Sequence, residues 1–175
     1  MMQIPKRFEN VKFEDIPASV RKNLETIKQS RRGLYLHGGC GTGKTHVAYA
    51  IAKHFGFEKN FNTKIFGVAE ILRLIRSDFD RINSYKEEEN TNFYTIINYR
   101  GLLILDDLGA EKITEWAEET LYAIVNKRYE EMLPTIFTSN LNLEELAGRL
   151  GDRIVSRIAG SCDVVELQGK DKRLS

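Results

Sequence analysis

The chain has 175 residues, of which 42% are hydrophobic and 29% charged, and its formal net charge is +1. That mixture belongs to a folded globular protein and excludes a disordered or fibrous one, while the near-zero charge excludes a globally basic nucleic-acid binder and confines any polyanion surface to a local patch. One domain over 1–175 is expected, burying roughly 70% of the unfolded surface, and with no apolar signal core and no run near ~20 apolar residues the expectation is a cytoplasmic protein without a membrane partner.

In chain order, Val20, Leu24 and Ile27 follow Pro17 at helical spacing. Leu34 to His37 has the short apolar run of a buried strand and leads into Gly38-Gly39-Cys40-Gly41-Thr42-Gly43-Lys44-Thr45, which satisfies the phosphate-binding pattern G-x-x-x-x-G-K-[ST] at each specified position. Glycines let the backbone close around phosphate oxygens with its N–H groups inward, and the first turn of the next helix offers unpaired donors and a partial positive charge to the same anion. Lys44 is expected to reach the β- and γ-phosphates and the Thr45 hydroxyl a magnesium ion. Val47, Ala48, Ile51, Ala52 and Phe55 continue as a helix, Lys44 to Phe55, packed on a sheet. Cys40 is either filler at an unspecified position or a thiol whose alkylation blocks the loop; with Cys162 it makes no metal-ligand spacing, and both point to free thiols in a reducing compartment.

Thr63 to Val68 predicts the second strand and Ala69 to Ile82 a helix, followed by the charged stretch Lys86-Glu87-Glu88-Glu89-Asn90 and a weaker helix, Asn92 to Tyr99. Leu102 to Leu105 is a third strand that delivers Asp106 and Asp107 to the carboxyl edge of the sheet, where ligands of open α/β folds gather. Asp106 suits a metal ion and Asp107 the activation of water; an Asx-capped turn is the other reading of the pair. Glu115 to Met132 is a helix with Ala117, Leu121, Ile124, Val125 and Met132 on one stripe. The fourth strand, Thr135 to Thr138, runs into Ser139 and Asn140. Asn140 is placed either to hold the attacking water or γ-phosphate, or to cap a helix over Leu141 to Leu146. A helix over Gly151 to Ile158 puts Arg153 and Arg157 on one face, suited to phosphate charge or to a salt-bridged surface. Asp163 to Leu167 is the fifth strand, and the alternation of strands and helices predicts an α/β fold with helices on both faces of a parallel sheet.

Gly38 to Thr45 with His46 following, Leu-Asp-Asp-Leu-Gly-Ala-Glu at 105–111, Thr-Ser-Asn-Leu at 138–141 and Leu-Gly-Asp-Arg-Ile-Val-Ser-Arg at 150–157 together resemble the AAA+ ATPase core of the DnaC/DnaI helicase loaders, with the IstB transposition ATPases as close relatives. The opening at 4–15 and the end at 169–173 are similar to the limits of that core. The resemblance implies a three-layer α/β/α P-loop NTPase of the AAA+ (ASCE) class, with a five-stranded parallel sheet in order 5-1-4-3-2 and no C-terminal helical lid. It implies ATP/ADP held by Gly38, Gly39, Cys40, Gly41, Thr42, Gly43, Lys44, Thr45 and His46, and Mg2+ held by Thr45 and Asp106. Catalysis would rest on Lys44, on Asp106 as the Walker B acid, Asp107, Asn140 as sensor 1, and Arg157 as an arginine finger reaching a neighbouring subunit, with Arg153 the second choice. The implied function is an ATPase switch in DNA replication, a nucleotide-dependent homo-oligomer that assembles on single-stranded DNA to place a replicative helicase. Arg73, Arg76, Arg81 and Lys86 are the candidate DNA contacts, with Phe93, Tyr94 and Tyr99 as stacking surfaces. Transposition with a transposase partner is the alternative, and a small-molecule P-loop kinase a third reading. Two departures stand out. Asp107 replaces the Glu of many AAA+ ATPases, shortening its reach by roughly 1.5 Å and implying slow hydrolysis. Only a short helix precedes the loop where the loaders carry a helicase-binding domain, so a truncated chain or a minimal family member is expected.

Overall fold

The computed structural model describes residues 4–25, 27–59, 61–79, 91–110 and 113–169. Arg81, Lys86, the stretch 86–90, the helix end expected at Ile82, Glu111 and the segment 170–173 lie outside the described residues. Two single-turn 3₁₀ helices, Lys6–Phe8 and Phe13–Asp15, precede α1 (Ala18–Leu24) and α2 (Ile27–Ser30). Then come β1 (Gly33–His37), α3 (Lys44–Lys53), β2 (Thr63–Gly67), α4 (Val68–Phe79), α5 (Asn92–Ile97) and β3 (Leu102–Asp106). The chain continues through α6 (Glu115–Glu130), β4 (Thr135–Ser139), α7 (Leu143–Leu150), α8 (Asp152–Ser161) and β5 (Cys162–Glu166).

All four strand pairings are parallel and give the order β2-β3-β4-β1-β5, the implied order taken from the opposite edge. Successive side chains of a strand face opposite sides of a sheet, so each central strand feeds two cores. Leu34, Leu36, Leu102, Ile104 and Ile136 pack with α1, α2 and α3. Tyr35, Leu103, Leu105 and Phe137 pack with α4, α5, α6, α7 and α8. Burial on both faces is why these strands are continuous apolar runs rather than alternating ones, and each fully buried Leu or Ile contributes roughly 2 kcal/mol of transfer free energy.

The element ends show where tertiary packing overrode local pattern. Regular α3 stops at Lys53 and passes into a wider π-turn, His54–Glu58, rather than running to Phe55. There Lys53 Nζ donates to the carbonyls of Glu9 and Val11 at 2.6 and 2.9 Å, and Phe55 packs on Phe61. β2 ends at Gly67 because Val68 already starts α4 and buries its side chain. α6 buries Ala117, Leu121, Ile124 and Val125, as the stripe requires, but ends at Glu130. Met132 lies beyond it at φ 50° and is 63% exposed, so it is not part of the core stripe. Arg128 is buried there instead. The helix after β4 is capped by Asn142, whose side chain accepts from Glu145 N while Glu145 returns a bond to Asn142 N, so capping falls to Asn142 and not to Asn140.

Candidate functional site

The glycine loop joins β1 to α3 at the carboxyl edge of the sheet. Gly43 takes φ 94° at the cap of α3, and at Gly38, φ 149°, a Cβ would sit 2.3 Å from the Leu167 carbonyl oxygen. The loop is held from within. Lys44 Nζ donates to the carbonyls of Gly38 and Gly39 at 2.8 and 2.7 Å, and Thr42 Oγ1 donates to Gly39 O at 3.0 Å. A nearly buried ammonium thus sits over the turn at the amino end of a ten-residue helix, where donors and helix field favour an anion.

β3 delivers the two acids beside the loop. Asp106 accepts from Thr45 Oγ1 at 3.0 and 3.2 Å and from Thr138 Oγ1 at 2.6 Å. Burial raises the Asp106 carboxyl above its ordinary value, opposed by the hydroxyls of Thr138 and Thr45. Asp107 follows at φ 63°, outside the strand; its N–H donates to Thr138 Oγ1 at 2.8 Å, and its Oδ1 accepts from Asn140 Nδ2 at 3.3 Å. The Thr45 hydroxyl and the Asp106 carboxylate are hard oxygen donors beside the Lys44 cation, a set that fits Mg2+ rather than a softer metal.

The loop, Asp107 and Asn140 share one cleft of about 510 Å³, which Cys40, Lys44, Thr45, His46, Asp107 and Asn140 help to line; Asp106 is not among the lining residues and meets the cleft through its bonds from Thr45 and Thr138. Three further lining residues, Arg7, Phe8 and Thr138, escaped the sequence reading. Thr138 stands in the sequence as the end of an apolar run and the first residue of Thr-Ser-Asn-Leu at 138–141, with no role of its own assigned. Arg7 and Phe8 belong to a segment that lies along α3: Phe8 stacks on Tyr49 at 4.4 Å, Asp15 Oδ2 is 3.2 Å from His46 Nε2, and Phe13 stacks on His54 at 4.2 Å. The Lys12 N–H and then His46 hold the Asp15 carboxyl below its usual range.

The arginines of α8 are not among the residues lining the cleft. Arg157 Nε donates to Asn126 Oδ1 at 3.0 Å and its guanidinium stands 5.4 Å from the Tyr129 ring centroid; Arg153 stands 4.2 Å from that of Tyr122. Among the described residues neither has a carboxylate partner. On α4, Arg73 and Arg76 are both exposed, and Arg76 lies over Trp116 at 5.2 Å. Phe93 packs against the core and Phe79, Tyr94 is 45% exposed, and the Tyr99 ring is covered by Lys64 Nζ at 4.7 Å. Of the three stacking candidates, Tyr94 is the open one.

The cysteines separate cleanly. Cys40 is exposed in the loop, whereas burial pushes the Cys162 thiol up to about 12. Iodoacetamide at pH 8 is expected to alkylate Cys40 in the folded protein, more slowly with ATP present, and Cys162 only after unfolding, which peptide mass mapping checks. The unfolded Cys162 thiol ionises near 9.0 and the folded one near 12, so its stabilising share is complete below pH 9 and is lost as the pH rises through that window.

The family model for IstB-like ATP binding proteins matches residues 2–175. The chain is similar to the replicative helicase loader DnaI of Bacillus subtilis (strain 168), with 30% identity covering 92% of this chain and 53% of that protein. Similarity to the replicative helicase loader DnaC of Escherichia coli (strain K12) is 26%, covering 86% and 62%. The chain therefore spans about half of the first relative and less than two thirds of the second. Among solved structures, the crystal structure of the DnaC helicase loader superposes with a TM-score of 0.77 at 26% identity, covering 94% of this chain and all of that one. The fold is that of an AAA+ P-loop ATPase.

Proposed function

Since the chain belongs to the IstB-like ATP binding protein family, we propose that it is a cytoplasmic AAA+ ATPase domain acting as a nucleotide switch in DNA replication, in the manner of a helicase loader. The observation that carries this is the convergence of Lys44, Thr45, Asp107 and Asn140 on one cleft, with Asp106 joined to it by the bond from Thr45 and Asp107 held by the bond from Asn140. The loop amides and Lys44 bind the phosphates of ATP. Thr45 and Asp106 would hold Mg2+, which would supply positive charge to the phosphate oxygens. Asp107 orients the attacking water and takes up its proton, and Asn140 fixes the Asp107 carboxylate and the γ-phosphate side of the cleft. Arg157 lies on another face, with Nε bonded to Asn126 and no hydrogen-bond partner for its terminal nitrogens among the described residues. Those nitrogens serve the ATP of a second copy, so ATP drives assembly, single-stranded DNA supports it through Arg73 and Arg76, and a replicative helicase is the client.

The test is the size of the assembly. With ADP the protein is expected to run as a monomer, with a non-hydrolysable ATP analogue as a larger species that single-stranded DNA enriches, and Arg157→Ala is expected to abolish the triphosphate-dependent growth. Sedimentation that does not change between the two nucleotides reduces the proposal to a nucleotide-binding module. The family match favours one second reading, the same ATPase serving transposition; capture by a purified transposase and not by a replicative helicase selects it.

A further inference from the structure

We infer that Thr138 is a positioning residue for both acids, through a one-way hydrogen-bond chain that only a hydroxyl supplies. The inference rests on the ATPase reading for its consequence, but its geometry stands in the protein alone. Thr138 is 1% exposed, and its Oγ1 accepts from the Asp107 N–H at 2.8 Å. With one lone pair committed to that amide, the hydroxyl proton is free to point at Asp106 Oδ1, 2.6 Å away. A backbone N–H only donates, so the chain runs from Asp107 N–H through Thr138 to Asp106 and cannot be reversed.

Two consequences follow from that polarity. The Asp106 oxygen that meets Thr138 accepts and is fixed in place by it, and Oδ2 is left as the oxygen closer to Thr45, at 3.0 against 3.2 Å. Asp107 has a left-handed backbone at φ 63°, which a non-glycine residue keeps only when its surroundings hold it. The Thr138 bond, with Leu108 N–H donating to Thr138 O at 2.8 Å, supplies that hold. Because Asn140 is two residues further along the same chain and bonds Asp107 Oδ1, the end of β4 grips the second acid at both its backbone and its carboxylate. A displacement of β4 therefore moves the metal-side acid and the water-side acid together.

The test pairs Thr138→Val, which keeps the shape and removes the hydroxyl, with Thr138→Ser, which restores it. In nucleotide-free protein, the Asp107 amide of Thr138→Val is expected to exchange its hydrogen at least about tenfold faster, with Thr138→Ser near the wild type. With ATP, the Mg2+ concentration for half-maximal hydrolysis is expected to rise about 10- to 100-fold in Thr138→Val, the range seen when an outer partner of a metal ligand is removed, while Mg2+-free binding of a fluorescent ATP analogue stays within about twofold. Unchanged amide exchange, or equal Mg2+ requirements in Thr138→Val and wild type, overturns the inference, as does a Thr138→Ser variant as impaired as Thr138→Val. A wild type that shows the exchange difference but no Mg2+-dependent hydrolysis overturns the ATPase reading and leaves the hydrogen-bond chain standing.

Discussion

Asp107→Asn is expected to lower kcat for ATP hydrolysis by about 10²- to 10³-fold, within the range for loss of a positioned general base, while ATP affinity stays within about twofold. Asparagine is nearly isosteric with aspartate, is among the few side chains that tolerate φ near 63°, and its carbonyl oxygen still accepts from Asn140 Nδ2. What disappears is the ability to take a proton from water. Because Asp107 is exposed and touches neither Lys44 nor Thr45 by hydrogen bond among the described residues, phosphate binding is left in place. Single-turnover phosphate release, beside displacement of a fluorescent nucleotide, separates the two quantities. A variant that turns over at the wild-type rate removes Asp107 from the chemistry and makes it a turn residue.

The second large effect concerns stability. Arg128 is 2% exposed, and its guanidinium donates to Thr135 Oγ1 at 2.6 Å and to the carbonyls of Tyr99, Gly101 and Pro134 at 2.7, 2.9 and 2.9 Å. One side chain thereby joins the end of α6 to the entries of β3 and β4. Burial pulls its pKa down to about 10, so it remains a cation through neutral pH. Arg128→Met fills much of the volume but removes the guanidinium from the buried Gly101 carbonyl and the partly buried Tyr99 carbonyl, each worth about 1–3 kcal/mol when orphaned, and leaves Pro134 O with only the Leu103 N–H at 3.3 Å. The expected loss is about 3–5 kcal/mol, comparable to breaking a buried charge network, and about 10 °C in melting temperature for a chain of this size. Urea unfolding with an unchanged slope and a lower midpoint checks it; a loss under about 1 kcal/mol means that water replaces the guanidinium.

The loop with Lys44 and Thr45 is marked by a contiguous run, glycines at fixed offsets before Lys-Thr; for Asp106, Asp107 and Asn140 the run alone, an apolar strand ending in acids and a second ending in an amide, leaves a turn or a helix cap open, and the family resemblance chose between them. The two-sided burial of the sheet followed from uninterrupted Leu and Ile, and its order came with the family resemblance.

No local pattern assigns a role to Thr138, Arg7, Phe8 or Arg128. A threonine in a strand and an arginine near a helix end are ordinary, and what distinguishes these is a partner brought near by folding: Thr138 to Asp106 across 32 residues, Arg128 to Tyr99 across 29. Local sequence sets which groups can ionise, donate or bend the chain. Only tertiary packing decides which of them are taken out of water together, and a hydrogen bond gains its full weight only there.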